Sequence, residues 1–221
     1  MKSLLLLLII LAFCGITAFA QPKTVDSKKI MVTAVAEPPV IEKIKTANGM
    51  LVISNEPGNY FSIEIKGKNV SSLPGAPLRF RVDGKYLEIT LHDKAPFSSK
   101  TDKIPLTDLE VLEAHRQWYS DQIEKTFGVK LRVESSPLKL FDDRDVLAWS
   151  FPMPSEAGYK HLKRQVYRSF VNGDQVLLLN SAWTDEVAEL KVINQLLWDT
   201  LRTLKVSDKP IRVEATVAKP K

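Results

Sequence analysis

Gln165-Val166-Tyr167-Arg168-Ser169-Phe170-Val171-Asn172-Gly173-Asp174-Gln175-Val176-Leu177-Leu178-Leu179-Asn180 reads as two strands folded back on one another, and this stretch decides the fold class. Its first arm, Gln165 to Val171, alternates imperfectly. Its second contains Val176-Leu177-Leu178-Leu179, a continuous apolar run suited to a strand covered on both faces near the middle of a sheet. Asn172-Gly173 supplies the turn, because glycine accepts the positive φ that a two-residue hairpin loop demands. Downstream, a helix is expected from near Thr184, with Asp185 and Glu186 at the positive end of its dipole. Leu190, Ile193, Leu197, Leu201 and Leu204 make one apolar stripe, so this helix should lie flat on the sheet.

Upstream, Thr107-Asp108-Leu109-Glu110 announces another helix: the threonine hydroxyl can accept from the third helical amide while Glu110 reaches back to the cap. The helix should run to Phe127 and end at Gly128 in a left-handed turn. Leu112, His115, Tyr119 and Ile123 fall on one stripe, and Asp121 and Lys125 are expected to pair at i, i+4 on its surface. Between the helices, strands are expected at Val129–Glu134, Leu138–Phe141 and Val146–Phe151. Before the first helix, Met50–Ile53 is an apolar run, and Tyr60–Lys66, Leu78–Val82 and Tyr86–Leu91 alternate as strands. Asp83-Gly84 joins the last two as a type I′ hairpin. Strands joined by tight turns are antiparallel, and two one-sided helices each need a sheet face. The expected class is therefore α+β, an antiparallel sheet sandwiched by or packed against two main helices.

This order, closing with Val166-Tyr167-Arg168-Ser169-Phe170, Asn172-Gly173-Asp174, Leu177-Leu178-Leu179-Asn180 and a helix to Leu204, resembles the PsbP and Mog1 superfamily. The resemblance runs over residues 49–206 as topology and is strongest in the final third, without a signature motif. It implies an α/β/α sandwich and a binding or assembly-factor role rather than catalysis, by analogy alone.

The N-terminus reads as an address. Lys2 precedes an apolar core, Leu4 to Phe13, and Ala18-Phe19-Ala20 offers a small-x-small cleavage pattern, so residues 1–20 are expected to be a signal peptide and Gln21 the mature start. The core is shorter than the ~20 residues of a membrane span. Phe13 is too bulky to precede a lipidated Cys14. Cys14 is the one cysteine, so cleavage would leave a chain without disulfides or thiol chemistry. Residues 21–48, with Pro38-Pro39, read as a flexible lead-in, 49–206 as a single domain and 207–221 as a C-terminal tail. The expected location is secreted or periplasmic, with no transmembrane segment after cleavage.

Over 221 residues, 31 basic against 26 acidic side chains give a formal charge of +5, mild and interleaved. It permits peripheral contact with an anionic membrane or polymer, and no nucleic-acid partner is expected. His92, His115 and His161 lack zinc-site spacing, Ser169 and Ser181 lack a nucleophile elbow, and no glycine-rich phosphate loop occurs. His115 reads as a partly buried histidine with a satisfied ring. Asp142-Asp143-Arg144-Asp145 lacks the glycine and distant glutamate of a calcium loop and reads as a turn. No catalytic residue, metal ligand or cofactor is assigned. Trp149 reads as core. Trp118 and Trp183 are the candidate binding residues, since tryptophan dominates recognition surfaces. The expected function is a binding or assembly module that engages a protein partner or envelope component through a sheet edge or a cleft beside one of these tryptophans. The competing class is a cofactor-independent hydrolase built on Asp142, Asp143, Asp145 or a histidine brought to them by folding. Clustering in one pocket would favour the hydrolase, and dispersal the binding role.

Overall fold

The hairpin around Gly173 forms one residue later than its sequence suggests: Asn172 and Gln175 are paired, and Gly173-Asp174 is the loop. Gly173 has φ 56 and Asp174 is not left-handed, so a single positive φ at the first loop position closes this turn. The computed structural model describes residues 41–75, 77–98, 105–140, 143–154 and 158–212. Its strands are β1 Ile41–Thr46, β2 Gly49–Ser54, β3 Tyr60–Lys66, β4 Val70–Ser72, β5 Arg79–Val82 and β6 Lys85–Asp93, followed by a 3₁₀ turn at Ala95–Phe97. Helix α1 is Asp108–Phe127; then come β7 Glu134–Lys139, β8 Asp145–Pro152, β9 Leu162–Asn172 and β10 Gln175–Thr184, helix α2 Leu190–Leu201, and β11 Lys205–Ser207.

All pairings are antiparallel. A seven-stranded sheet has the order β4-β5-β6-β10-β9-β8-β7, and a four-stranded sheet the order β1-β2-β3-β11. The leucine run of β10 sits at the centre of the large sheet, with residues 176–179 fully buried, as a strand covered on both faces requires. One face, carrying Val176, Leu178, Tyr167, Leu147 and Trp149, packs under α1. The other, carrying Leu177, Leu179, Phe80, Ile89 and Phe170, shares a core with Ile63 and Ile65 of β3 and with Ile193, Leu197 and Leu201 of α2. Each such buried side chain contributes about 1.5–3 kcal/mol. The result is the expected α+β class, two main helices packed against antiparallel sheets, with a second small sheet added beside α2.

The caps follow their residues. Thr107 accepts from the Glu110 amide, Glu110 accepts from the Thr107 amide, and Gly128 ends α1 at φ 66. Asp83 and Gly84 have φ 47 and 83, the two positive values of a type I′ loop.

Five further expectations need correction. Residues 41–46, read as part of the lead-in, are an edge strand, because β2 offers them a full antiparallel register from Thr46↔Gly49 to Ile41↔Ser54. The two strands expected at 129–134 and 138–141 are one, β7. The residues before it fold back on the helix end, where Glu124 accepts from Lys130 and from the Leu131 amide. Helix α2 begins at Leu190 and not near Thr184, because β10 runs on to pair Thr184 with Leu162, and Asp185 is drawn to Lys163 and His161. Asp121 accepts from Gln117, and no pair with Lys125 forms. Of the expected tail, Ser207 belongs to β11 and Ile211 is held by Asn55; residues 213–221, like 1–40 with the expected signal peptide and Cys14, lie outside the described residues.

Candidate functional site

On α1, the stripe that turns Leu112 and Tyr119 toward the sheet also turns His115 inward, and it is 0% exposed. On β6, the alternation that sends Leu87 and Ile89 to the α2 side sends Tyr86, Glu88, Thr90 and His92 to the α1 side. His92 and His115 therefore meet, with Nδ1 of the first 2.6 Å from Nε2 of the second. A neutral imidazole carries one N–H, so either tautomer of this contact leaves one ring with an unpaired N–H and the other with an unpaired lone pair. Those atoms, His92 Nε2 and His115 Nδ1, are buried without partners. Burial pushes His92 down to about 4; burial, reinforced by the neighbouring His92 ring, pushes His115 down to about 3. Both rings are neutral at physiological pH. The satisfied ring expected for His115 is thus only half satisfied.

Aromatic rings close around this pair. Phe97 from the 3₁₀ turn lies 4.9 Å from His115 and 5.4 Å from Trp118, and Trp118 lies 5.6 Å from His92. Tyr119 continues the cluster to Trp149 and Tyr167, which stack at 3.8 Å. Trp149 is core, as expected, with its indole N–H donated to Ser169. Trp118 is the outer end of the chain, 38% exposed, and its ring is braced from beneath by histidines and Phe97.

Trp183 is placed differently. It lies near the end of β10 on the α2 side, its indole N–H donated to the Val187 carbonyl and its ring under Lys163 at 5.1 Å. His92 pairs with Val176 at the other end of that strand, on the opposite face. The two tryptophans therefore belong to different surfaces, and Trp183 secures the loop leading into α2.

Beside the histidines on the same face, Glu88 is buried and fully engaged, accepting from Arg79 at 2.5 Å, Tyr86 at 3.1 Å and Asn180 at 3.0 Å. Desolvation, with Glu88 adding to it, pushes the Tyr86 hydroxyl far above its usual range. No reactive histidine joins this network: His92 is four residues along β6, roughly 13 Å away.

The acidic cluster is dispersed from all of this. Asp143 is a turn residue at φ 61 and Asp145 is paired with Lys139 at 2.6 Å, while Asp142 lies outside the described residues. Three strand spacings, about 15 Å, separate this hairpin from β6. His161 is exposed beside Asp185. Among the described residues no three His, Cys, Asp or Glu side chains are grouped to hold a metal ion, and no helix is long and apolar enough to cross a membrane.

No family model matches the chain, and no curated protein matches it. Among solved structures it is similar to the solution structure of cyanobacterial PsbP (CyanoP) from Synechocystis sp. PCC 6803, at 8% identity and a TM-score of 0.42, over 80% of this chain and 98% of that one.

Proposed function

We propose that this chain is an exported, non-catalytic binding module that engages a protein partner or envelope component through the α1 face around Trp118. The observation that carries the reading is the pre-organised Trp118 ring. Held by Phe97, His92 and His115, it offers a large apolar contact with little side-chain entropy left to lose on binding.

Edge pairing is less favoured as the recognition mode. On the large sheet, β7 is interrupted by Pro137, which lacks an N–H, and β4 is three residues long. On the small sheet, β11 is also three residues long and β1 carries Lys43 and Lys45. The dispersal of Asp143, Asp145 and the histidine pair argues against the hydrolase reading.

The test is affinity capture from the cell envelope with residues 21–221, comparing wild type, Trp118→Ala and Trp183→Ala. Selective loss of a partner with Trp118→Ala, at least tenfold in affinity, is expected. Retention by Trp118→Ala, or equal loss in both folded variants, overturns the reading.

A further inference from the structure

Arg168 is a buried charge without a counter-charge. It lies on β9, 6% exposed, and faces α2. Its terminal nitrogens donate to neutral oxygens, the Tyr167 carbonyl and Asn194 Oδ1, each at 2.7 Å. Nε is buried with no acceptor, and no carboxylate pairs with the guanidinium among the described residues. Buried arginines are ordinarily paired, because desolvating an uncompensated charge costs several kcal/mol. Here burial lowers the group to about 10, which leaves it charged at physiological pH. Trp198 stacks beneath it at 5.5 Å, and Arg202 lies over the same ring at 5.9 Å, adding positive charge.

The sheet register sets what lies beside Arg168. Directly beside Arg168 is Ala148 on β8, and beyond it Ser136 on β7, all pointing to one face. Helix α2 packs on β10, β9 and β3, and the short row beyond it is open: Ala148 is half-buried and Ser136 exposed. The acid one row away, Glu134, is already taken by Arg164 at 2.7 Å.

We propose that the row Ser136–Ala148–Arg168 beside α2 is a binding site for the carboxylate or phosphate group of a small anionic ligand, with the Arg168 guanidinium as its recognition element. A carboxylate or phosphate presenting two oxygens to Nε and one terminal nitrogen would supply the missing acceptor and neutralise the charge together. This site lies on the opposite sheet face from Trp118 and is independent of it.

The experiment uses residues 21–221 with citrate, acetate and inorganic phosphate, each against sodium chloride at equal ionic strength. Thermal unfolding and the Arg168 Nε–H resonance are followed. The expected result is a saturable rise in Tm with at least one of the three anions, about 3–6 °C at ten times its half-saturating concentration, and a shift of the Nε–H signal. Comparing carboxylates with phosphate identifies which group is recognised. Ala148→Leu, which fills the row without touching the charge, should abolish the response. Arg168→Met should abolish it while leaving Tm in chloride unchanged or higher, which a structural arginine would not do. A response equal to that of chloride for all three anions, or one surviving in Ala148→Leu, overturns the proposal.

Discussion

Asn59 occupies the space that any side chain on Gly173 would need: a Cβ built there would stand 2.5 Å from Asn59 Oδ1 and 2.6 Å from the Gly58 carbonyl. The same Oδ1 accepts the Asp174 amide at 2.9 Å, and Gln175 reaches Glu56 at 2.6 Å, so the tip of the β9–β10 hairpin is fastened to the β2–β3 turn. Gly173→Ala should be destabilising twice over, through φ 56 and through collision with a backbone carbonyl. A loss of about 2–4 kcal/mol in urea unfolding is expected. An effect under about 0.5 kcal/mol would show that the tip is not docked.

Helix α1 begins at a reciprocal cap, with Thr107 Oγ1 accepting the Glu110 amide at 3.3 Å and Glu110 accepting the Thr107 amide at 2.7 Å. Thr107→Ala should lower stability by about 1 kcal/mol, and Thr107→Ser should restore most of it. Equal losses in the two variants would assign the effect to the threonine methyl instead of the cap.

The capping box was legible because its chemistry is local, two residues three apart; the glycine turn was legible only in part, since Gly173 marks it but the loop is Gly173-Asp174 and not Asn172-Gly173. What was not legible depends on pairing at a distance. Thr184 looks like a helix start, with Asp185 and Glu186 behind it, yet Leu162 recruits it into β10 and the acids end in the following turn. Ile41 and Ile44 are out of period two, so β1 is visible only once β2 is there to pair with it. The inward turn of His115 was readable from its stripe on α1. His92 continues the polar side of the alternation Tyr86, Glu88, Thr90, a signal that was present. Their meeting needs the register of β6 and the seat of α1 together, and no spacing in the sequence encodes that.

The side chain of Asn55 acts as one more strand partner: it donates to the Ile211 carbonyl at 3.1 Å and accepts the Ile211 amide at 2.8 Å. This bidentate clasp fastens the chain beyond β11 to the end of β2. In Asn55→Ala the Ile211 amide should lose its hydrogen-exchange protection while the β10 amides keep theirs. Asn55→Asp retains only the acceptor and should still slow exchange at Ile211. Protection of Ile211 in Asn55→Ala would mean that another element holds this segment.

The histidine pair makes stability depend on pH with a defined sign. The rings sit at about 4 and about 3 in the folded chain against 6.5 ordinarily, so below pH 6.5 the unfolded state binds protons that the folded state refuses. Their stabilising share is fully present above pH 6.5 and falls as pH drops through the folded values. For His92 alone the loss amounts to about 2 kcal/mol by pH 5, and His115 deepens it. The two titrate as a coupled pair, because imidazolium rings on both sides would set N–H against N–H across 2.6 Å. Urea unfolding of wild type and of His92→Gln at pH 7.5, 6.0 and 5.0 isolates this share from that of the carboxylates. The variant should be less stable at pH 7.5 and lose less between pH 7.5 and 5.0, so that the two curves converge in acid. Parallel curves would mean that the pair opens to solvent without cost and that the seat beneath Trp118 is not rigid.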